Sequence, residues 1–152
     1  MAETLDDLCK SFDDFLEKFG ENRYELVEQA GVKMCKKVLR NIETSTEEHT
    51  GNLKKAVYIA TGSKGGYAAV RNDHKKAPHA HLVEFGHDLY RGAEKKVNKY
   101  GRETNIPRSG RKLEGQVNGK FMYRNAINEL EDELTQDAEK IIDKTLKEAG
   151  FA

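Results

Sequence analysis

Three histidines and a carboxylate offer the first chemistry in this chain. His79, His81 and His87 fall within nine residues, with Glu84 between them. If residues 79–81 were extended, His79 and His81 would share a face and could ligate a metal. A zinc hydrolase would need His-Glu-x-x-His on a helix, so that two ligands and a base share a face. The run lacks that spacing, so surface or turn histidines are the plainer reading and no metal site is assigned. The glycine-rich stretch Gly62-Ser63-Lys64-Gly65-Gly66 superficially suggests a phosphate loop. Its order differs from Gly-x4-Gly-Lys-Ser/Thr, and it separates two alternating runs instead of opening a helix, which is turn chemistry. Cys9 and Cys35 show neither metal spacing nor a disulfide framework, and nothing local would lower a thiol pKa. Both are read as thiols in a reducing compartment. The Glu47-Glu48 pair is read as part of a solvated connector. No catalytic residue, metal ligand or cofactor site is assigned, and the chain is read as a non-enzyme.

Charge carries more information. Residues 1–50 hold 7 basic and 12 acidic side chains, residues 51–120 hold 15 and 6, and residues 121–152 hold 4 and 8. The net charge of zero is therefore a basic middle between two acidic ends. Arg91, Lys95, Lys96, Lys99, Arg102, Arg108, Arg111 and Lys112 form a basic strip interleaved with Tyr90 and Tyr100. Such a strip could contact nucleic-acid phosphates without reading sequence, or pair with an acidic helix of the same or a neighbouring subunit.

The elements that must position these residues follow from periodicity. Leu5, Leu8, Phe12, Phe15, Leu16 and Phe19 make a helical stripe over 4–19, with Thr4 and Asp7 as a capping box. Gly20 is expected to end or kink that helix. A second helix spans about Asn22–Glu43, with Val27, Ala30, Met34, Val38 and Ile42 on one face and Gly31, Cys35 and Leu39 beside it. After a polar connector the period drops to 2, which predicts a strand over 53–61 and its hairpin partner at Tyr67–Arg71. Residues 78–86 predict a brief helix with Pro78 at its first position, a strand being nearly as good a fit. Residues 87–111 are expected as a long loop or a hairpin extension. Leu113, Gly115 and Val117 alternate as a last strand. A long C-terminal helix spans about 121–149, with acidic residues early, lysines late and Gly150 just past its end.

The class is α+β: N-terminal helices (1–43), a small, mainly antiparallel sheet (53–118) carrying the long basic loop, and the C-terminal helix. The length fits a single domain over 1–152. Hydrophobic residues are 37% and charged ones 34%, so a thin core and a segment that orders on assembly are expected. No apolar run is long enough to cross a membrane, and the N-terminus lacks a signal peptide's apolar region.

Three segments together resemble one family. Thr50-Gly51-Asn52-Leu53-Lys54-Lys55 is similar to the threonine, glycine, x, leucine, basic opening of the first strand in a tailed-phage family. Ala80–His87 resembles its central signature, an apolar run closing on Glu84-Phe85-Gly86. Gly119–Ala126 resembles its final signature, in which Phe121, Met122 and Ala126 open the last helix. The chain thus resembles, over roughly 24–149, the family named after gene product ten of Hong Kong 97-like phages. Its members are minor capsid, head–tail joining and tail-completion components. Here His87 stands in place of the usual threonine, Lys120 in place of proline, and the segment from Gly86 to Phe121 is longer than is typical.

The resemblance implies a virion or prophage structural protein, an oligomeric ring subunit of the neck or tail, present in the host cytoplasm during assembly. Its implied partners are other copies of itself and neighbouring neck or tail proteins, with DNA contact by the basic strip as the alternative. Gly51 and Gly86 are expected at unusual φ/ψ, and Phe85 and Phe121 as anchors between sheet and C-terminal helix. Glu84 is expected in a salt bridge or an intersubunit contact.

Overall fold

A computed structural model describes residues 4–47, 51–63, 66–90, 95–105 and 112–151. The described chain is α+β, with a long helix at each end and antiparallel strands between. It forms two compact units: Met1–Ala77 with Met122–Ala152, and Pro78–Phe121.

The first unit is built on two long helices, α1 (Leu5–Ser45) and α4 (Met122–Glu148). Thr4 caps α1: its Oγ1 accepts from the Asp7 N–H at 3.2 Å and donates to the Asp7 carboxylate at 2.7 Å. The expected break at Gly20 does not occur, and one helix of 41 residues replaces the two predicted. A helical glycine costs only about 1 kcal/mol against alanine, and α1 is tied to α4 on both sides of it. The Lys18 ammonium donates to the Glu148 carbonyl, and Asn22 Nδ2 donates to Thr145 Oγ1 at 3.0 Å. Further along, Lys33 pairs with Glu133 and Asp137, Lys37 with Glu129, and Asn41 Nδ2 donates to the Met122 carbonyl. Rising numbers on α1 meet falling numbers on α4, so the helices run antiparallel. Their seam buries Val38, Ile42, Met122, Ala126 and Leu130.

Helix α4 ends as its sequence foretells. Gly150 has φ +82, its N–H donates to the Lys147 carbonyl, and the Phe151 N–H donates to the Leu146 carbonyl. This is the paired bonding of a Schellman motif. Phe151 then packs on Phe12 and Phe15, with ring centroids 5.0 and 6.4 Å away.

The predicted strand over 53–61 begins only at β1 (Val57–Thr61), because Asn52–Lys55 form a short helix, α2. Gly51 enters it at φ +67. Leu53 and Ala56 are three apart, so one turn brings both to the protein side: Ala56 is buried and Leu53 half-buried. Alternation over so few residues does not separate the two periods. Lys54 also pairs with Glu43 near the end of α1. Strand β1 pairs antiparallel with β2 (Ala68–Asn72), Ile59 opposite Val70, as the turn residues required. Gly31 lets α1 approach this hairpin. A Cβ there would lie 2.8 Å from Ala68 Cβ and 3.3 Å from Ile59 Cγ2.

The second unit holds α3 (Ala80–Phe85), β3 (Gly86–Tyr90), β4 (Lys95–Val97), β5 (Glu103–Asn105) and β6 (Leu113–Asn118). Residues 80–85 are helical, but Pro78 lies before the His79 cap instead of at the first helical position. Strand β3 pairs antiparallel with β6, with a register shift between Leu89 and Tyr90, and β4 pairs antiparallel with β5. The segment expected as a long loop or hairpin extension thus contains a hairpin. The small sheet is divided into three two-stranded ladders. No helix of the described chain is long and apolar enough to cross a membrane.

Candidate functional site

The central segment and residues Gly119–Phe121 of the final one meet in the second unit. The Lys120 N–H donates to the Val83 carbonyl at 2.8 Å, and the Phe121 N–H to the Glu84 carbonyl at 3.1 Å. Gly86 has φ +78, and a Cβ on it would stand 2.3 Å from the Val117 carbonyl oxygen. A Cβ on Gly119 would stand 2.4 Å from the Glu84 carbonyl oxygen. Glycine at both positions therefore lets two backbone segments touch. Phe121 itself adopts φ +50, the one non-glycine residue at positive φ among the described residues.

Glu84 is buried and Phe85 is 66% exposed. This corrects the expectation that Phe85 is a packed anchor. Neighbouring helical positions are about 100° apart, and in this short helix the inward direction belongs to Glu84. Gly51 and Leu53 lie at α2, while Met122 and Ala126 are fully buried in the first unit. Thr50 lies outside the described residues.

The histidines do not converge. His79 caps α3 and His81 lies within it, both exposed, so neither is extended. His87 is half-buried in β3, its Nδ1 buried without a hydrogen-bond partner among the described residues. Among the described residues no group of three or more His, Cys, Asp or Glu side chains could hold a metal ion. Cys9 is exposed, and partial burial pushes the Cys35 thiol above its ordinary pKa, away from nucleophilic use.

Of the basic strip, Lys95, Lys96, Lys99 and Arg102 belong to the β4–β5 hairpin. Lys112 is exposed just before β6, and Arg91, Arg108 and Arg111 lie outside the described residues. The hairpin has a built tip. The Asn98 N–H donates to the Arg102 carbonyl at 2.9 Å, and Asn98 Oδ1 accepts from the Tyr100 and Arg102 N–H groups, both at 3.0 Å. Gly101 completes the turn at φ +73. Lys95 pairs with Glu103 at 2.6 Å. Lys96, Lys99 and Arg102 have no carboxylate partner among the described residues, and Lys99 Nζ sits 5.0 Å from the Tyr100 ring centre. Val97 is 62% and Tyr100 74% exposed.

No family model, curated protein or solved structure matches this chain.

Sequence reasoning missed an apolar groove in the first unit. Val27, Gly31 and Met34 of α1, Val70 of β2, and Ile127 and Leu134 of α4 line an open space of about 760 Å³. Tyr67, Ala68, Tyr123, Glu131 and Thr135 complete it. Ile127 is 55% and Tyr67 52% exposed. A small annex adds Tyr24, Glu28 and Thr61. The signal was present, since Val27, Met34 and Gly31 lay on or beside the predicted apolar face of the second helix. The stripes are wider than the α1–α4 seam, so part of each remains uncovered. Glu28 and Glu131 are exposed at this groove, without an ion-pair partner among the described residues.

Proposed function

We propose that this protein is a non-enzymatic structural subunit of a tailed-phage virion, acting at the head–tail junction or the top of the tail. It assembles as a ring and contacts neighbouring neck or tail proteins. The resemblance at Gly51–Lys55, Glu84–Gly86 and Phe121–Ala126 supplies the family expectation. The observation that carries the reading is the pairing of unsatisfied surfaces on one chain. An acidic two-helix unit leaves an apolar groove open, and a basic hairpin holds apolar side chains in water. Large exposed apolar patches on soluble proteins mark interaction sites, and opposite potentials guide association.

The reading is tested by incubating the purified full chain alone and with candidate neck and tail proteins at low and high salt. Salt-sensitive self-association, or binding to one of those proteins, is the expected result. A strict monomer at high concentration and low salt that binds none of them would sink it.

A second reading has its own observation. Lys96, Lys99 and Arg102 stand exposed without acidic partners among the described residues, a footprint that suits nucleic-acid phosphates. It expects DNA retardation that weakens steeply with salt and disappears when Lys95, Lys96, Lys99 and Arg102 are all changed to Ala. Absence of any shift at low salt, with single- or double-stranded DNA, would remove it.

A further inference from the structure

We propose that the β4–β5 hairpin of one copy of this chain seats its Val97–Arg102 tip in the α1–β2–α4 groove of a second copy. The inference rests on the assembly reading above and adds which surfaces meet.

Each side states what its occupant must be. The groove is mostly apolar and open to solvent, so its occupant must bring apolar side chains. Its free charges are carboxylates, Glu131 in the groove and Glu28 in the annex. An occupant must therefore bring cations to its margins; nucleic acid would bring phosphates and be repelled.

The hairpin tip meets both demands. Val97 and Tyr100 project with most of their surface in water. Lys96, Lys99 and Arg102 are exposed beside them in sequence, Lys99 Nζ lying 5.0 Å from the Tyr100 ring centre, and Glu103 is already neutralised by Lys95. The Asn98 hydrogen bonds fix the tip before docking, so little ordering entropy remains to be lost. A tyrosine ring with a cation beside it is a common anchor for a pocket of this kind.

Donor and acceptor surfaces are different patches of the same chain. Each copy can therefore give one contact and receive another, a head-to-tail interface that closes into a ring when the rotation between copies divides a full turn.

The test uses two full-length charge-reversed chains. One carries Glu28→Lys and Glu131→Lys, making its groove basic. The other carries Lys96→Glu, Lys99→Glu and Arg102→Glu, making its hairpin acidic. In the first both surfaces are basic, and in the second both are acidic, so neither should self-associate. Mixed, every groove finds an oppositely charged hairpin. Mass is read by light scattering at low salt beside the wild type.

The expected result is that each variant alone dissociates at least tenfold more readily than wild type, and that an equimolar mixture restores assembly. If both variants alone assemble like wild type, the hairpin–groove contact is wrong while the assembly reading stands. If the wild type itself stays monomeric, the assembly reading fails and this inference with it. Should a charge-reversed chain misfold, Tyr100→Ser and Ile127→Ser serve instead. Each should weaken association with an unchanged melting temperature, and unaltered association in both would overturn the proposal.

Discussion

Three glycines in this chain do three different things, and alanine separates them. At Gly86 the backbone has φ +78 and a Cβ would run into the Val117 carbonyl. Gly86→Ala should therefore cost at least about 1–3 kcal/mol in the second unit, read by denaturant unfolding. At Gly31 the intruding methyl would meet Ala68 Cβ at 2.8 Å, so overpacking of about 1–3 kcal/mol is expected there. At Gly20 nothing lies within 4 Å, and Gly20→Ala should stabilise α1 by about 0.5–1 kcal/mol. A melting temperature that falls in Gly20→Ala would mean that α1 needs its glycine for a bend. The resemblance flagged Gly86, and Gly31 stood beside a predicted apolar face while Gly20 did not, but the close approach at Gly31 was not legible, because the atoms there are brought near by distant segments.

Lys33 gives a residue-scale pH dependence. Hydrogen bonding to Asp137, then Glu133, holds its ammonium above the usual lysine pKa of 10.5, and Lys33 in turn holds Asp137 below the usual 3.8. A lowered carboxylate contributes stability that is present above its unfolded pKa and lost as pH falls through the folded one. A raised lysine contributes stability that is present below its unfolded pKa and lost as pH rises through the folded one. The melting-temperature difference between wild type and Asp137→Asn should thus be small and constant from about pH 5 to 9, then shrink below about pH 3.8. A difference that changes across neutral pH would contradict this pairing.

At the scale of elements, α1 and α4 are joined by polar ties that their apolar stripes did not advertise. Asn22 is buried against the fully buried Thr145, donates also to Glu148 Oε2, and accepts from Lys144. Asn22→Ala should cost about 1–2 kcal/mol by leaving Thr145 Oγ1 without its donor. Thermal unfolding beside the exposed control Asn128→Ala checks this, and equal melting temperatures would deny the tie any role. The stripes themselves were legible: the C-terminal helix, its Gly150 terminus, the Thr4–Asp7 cap and the β1–β2 hairpin all follow from local pattern. The merging of two predicted helices across Gly20 was not. Propensity marks Gly20 as a weak point, and tertiary ties on either side decide that it does not break. The short helix α2 was hidden for a related reason, since four residues are too few to separate period 3.6 from period 2, and only the spacing of the half-buried Leu53 and the buried Ala56 marks the helix. Asn98 is the element-scale counterpart in the β4–β5 hairpin. Asn98→Ala removes the side-chain acceptor of the Tyr100 and Arg102 N–H groups, so it should loosen the tip and speed its amide exchange without lowering the melting temperature of the α1–α4 unit.

For the whole molecule, neutrality is a balance between parts. The acidic ends form α1 and α4, and the basic middle includes the β4–β5 hairpin. The thin core anticipated from composition is visible in how few large side chains are fully buried among the described residues, Ile42, Met122 and Val38 among them. What composition could not reveal is where the uncovered apolar surface lies. The groove and the hairpin tip hold part of it, because the helical stripes exceed their seam and the hairpin has no described layer against its Val97 and Tyr100, while Leu5, Leu16, Phe85 and Leu113 are exposed elsewhere. The central claim is that these surfaces are made for assembly. Its most direct test is the mass of the purified full chain, by light scattering with electron microscopy, across concentration and ionic strength. The account predicts closed oligomers at low salt that dissociate as salt rises. A monomer at every concentration and salt would contradict it.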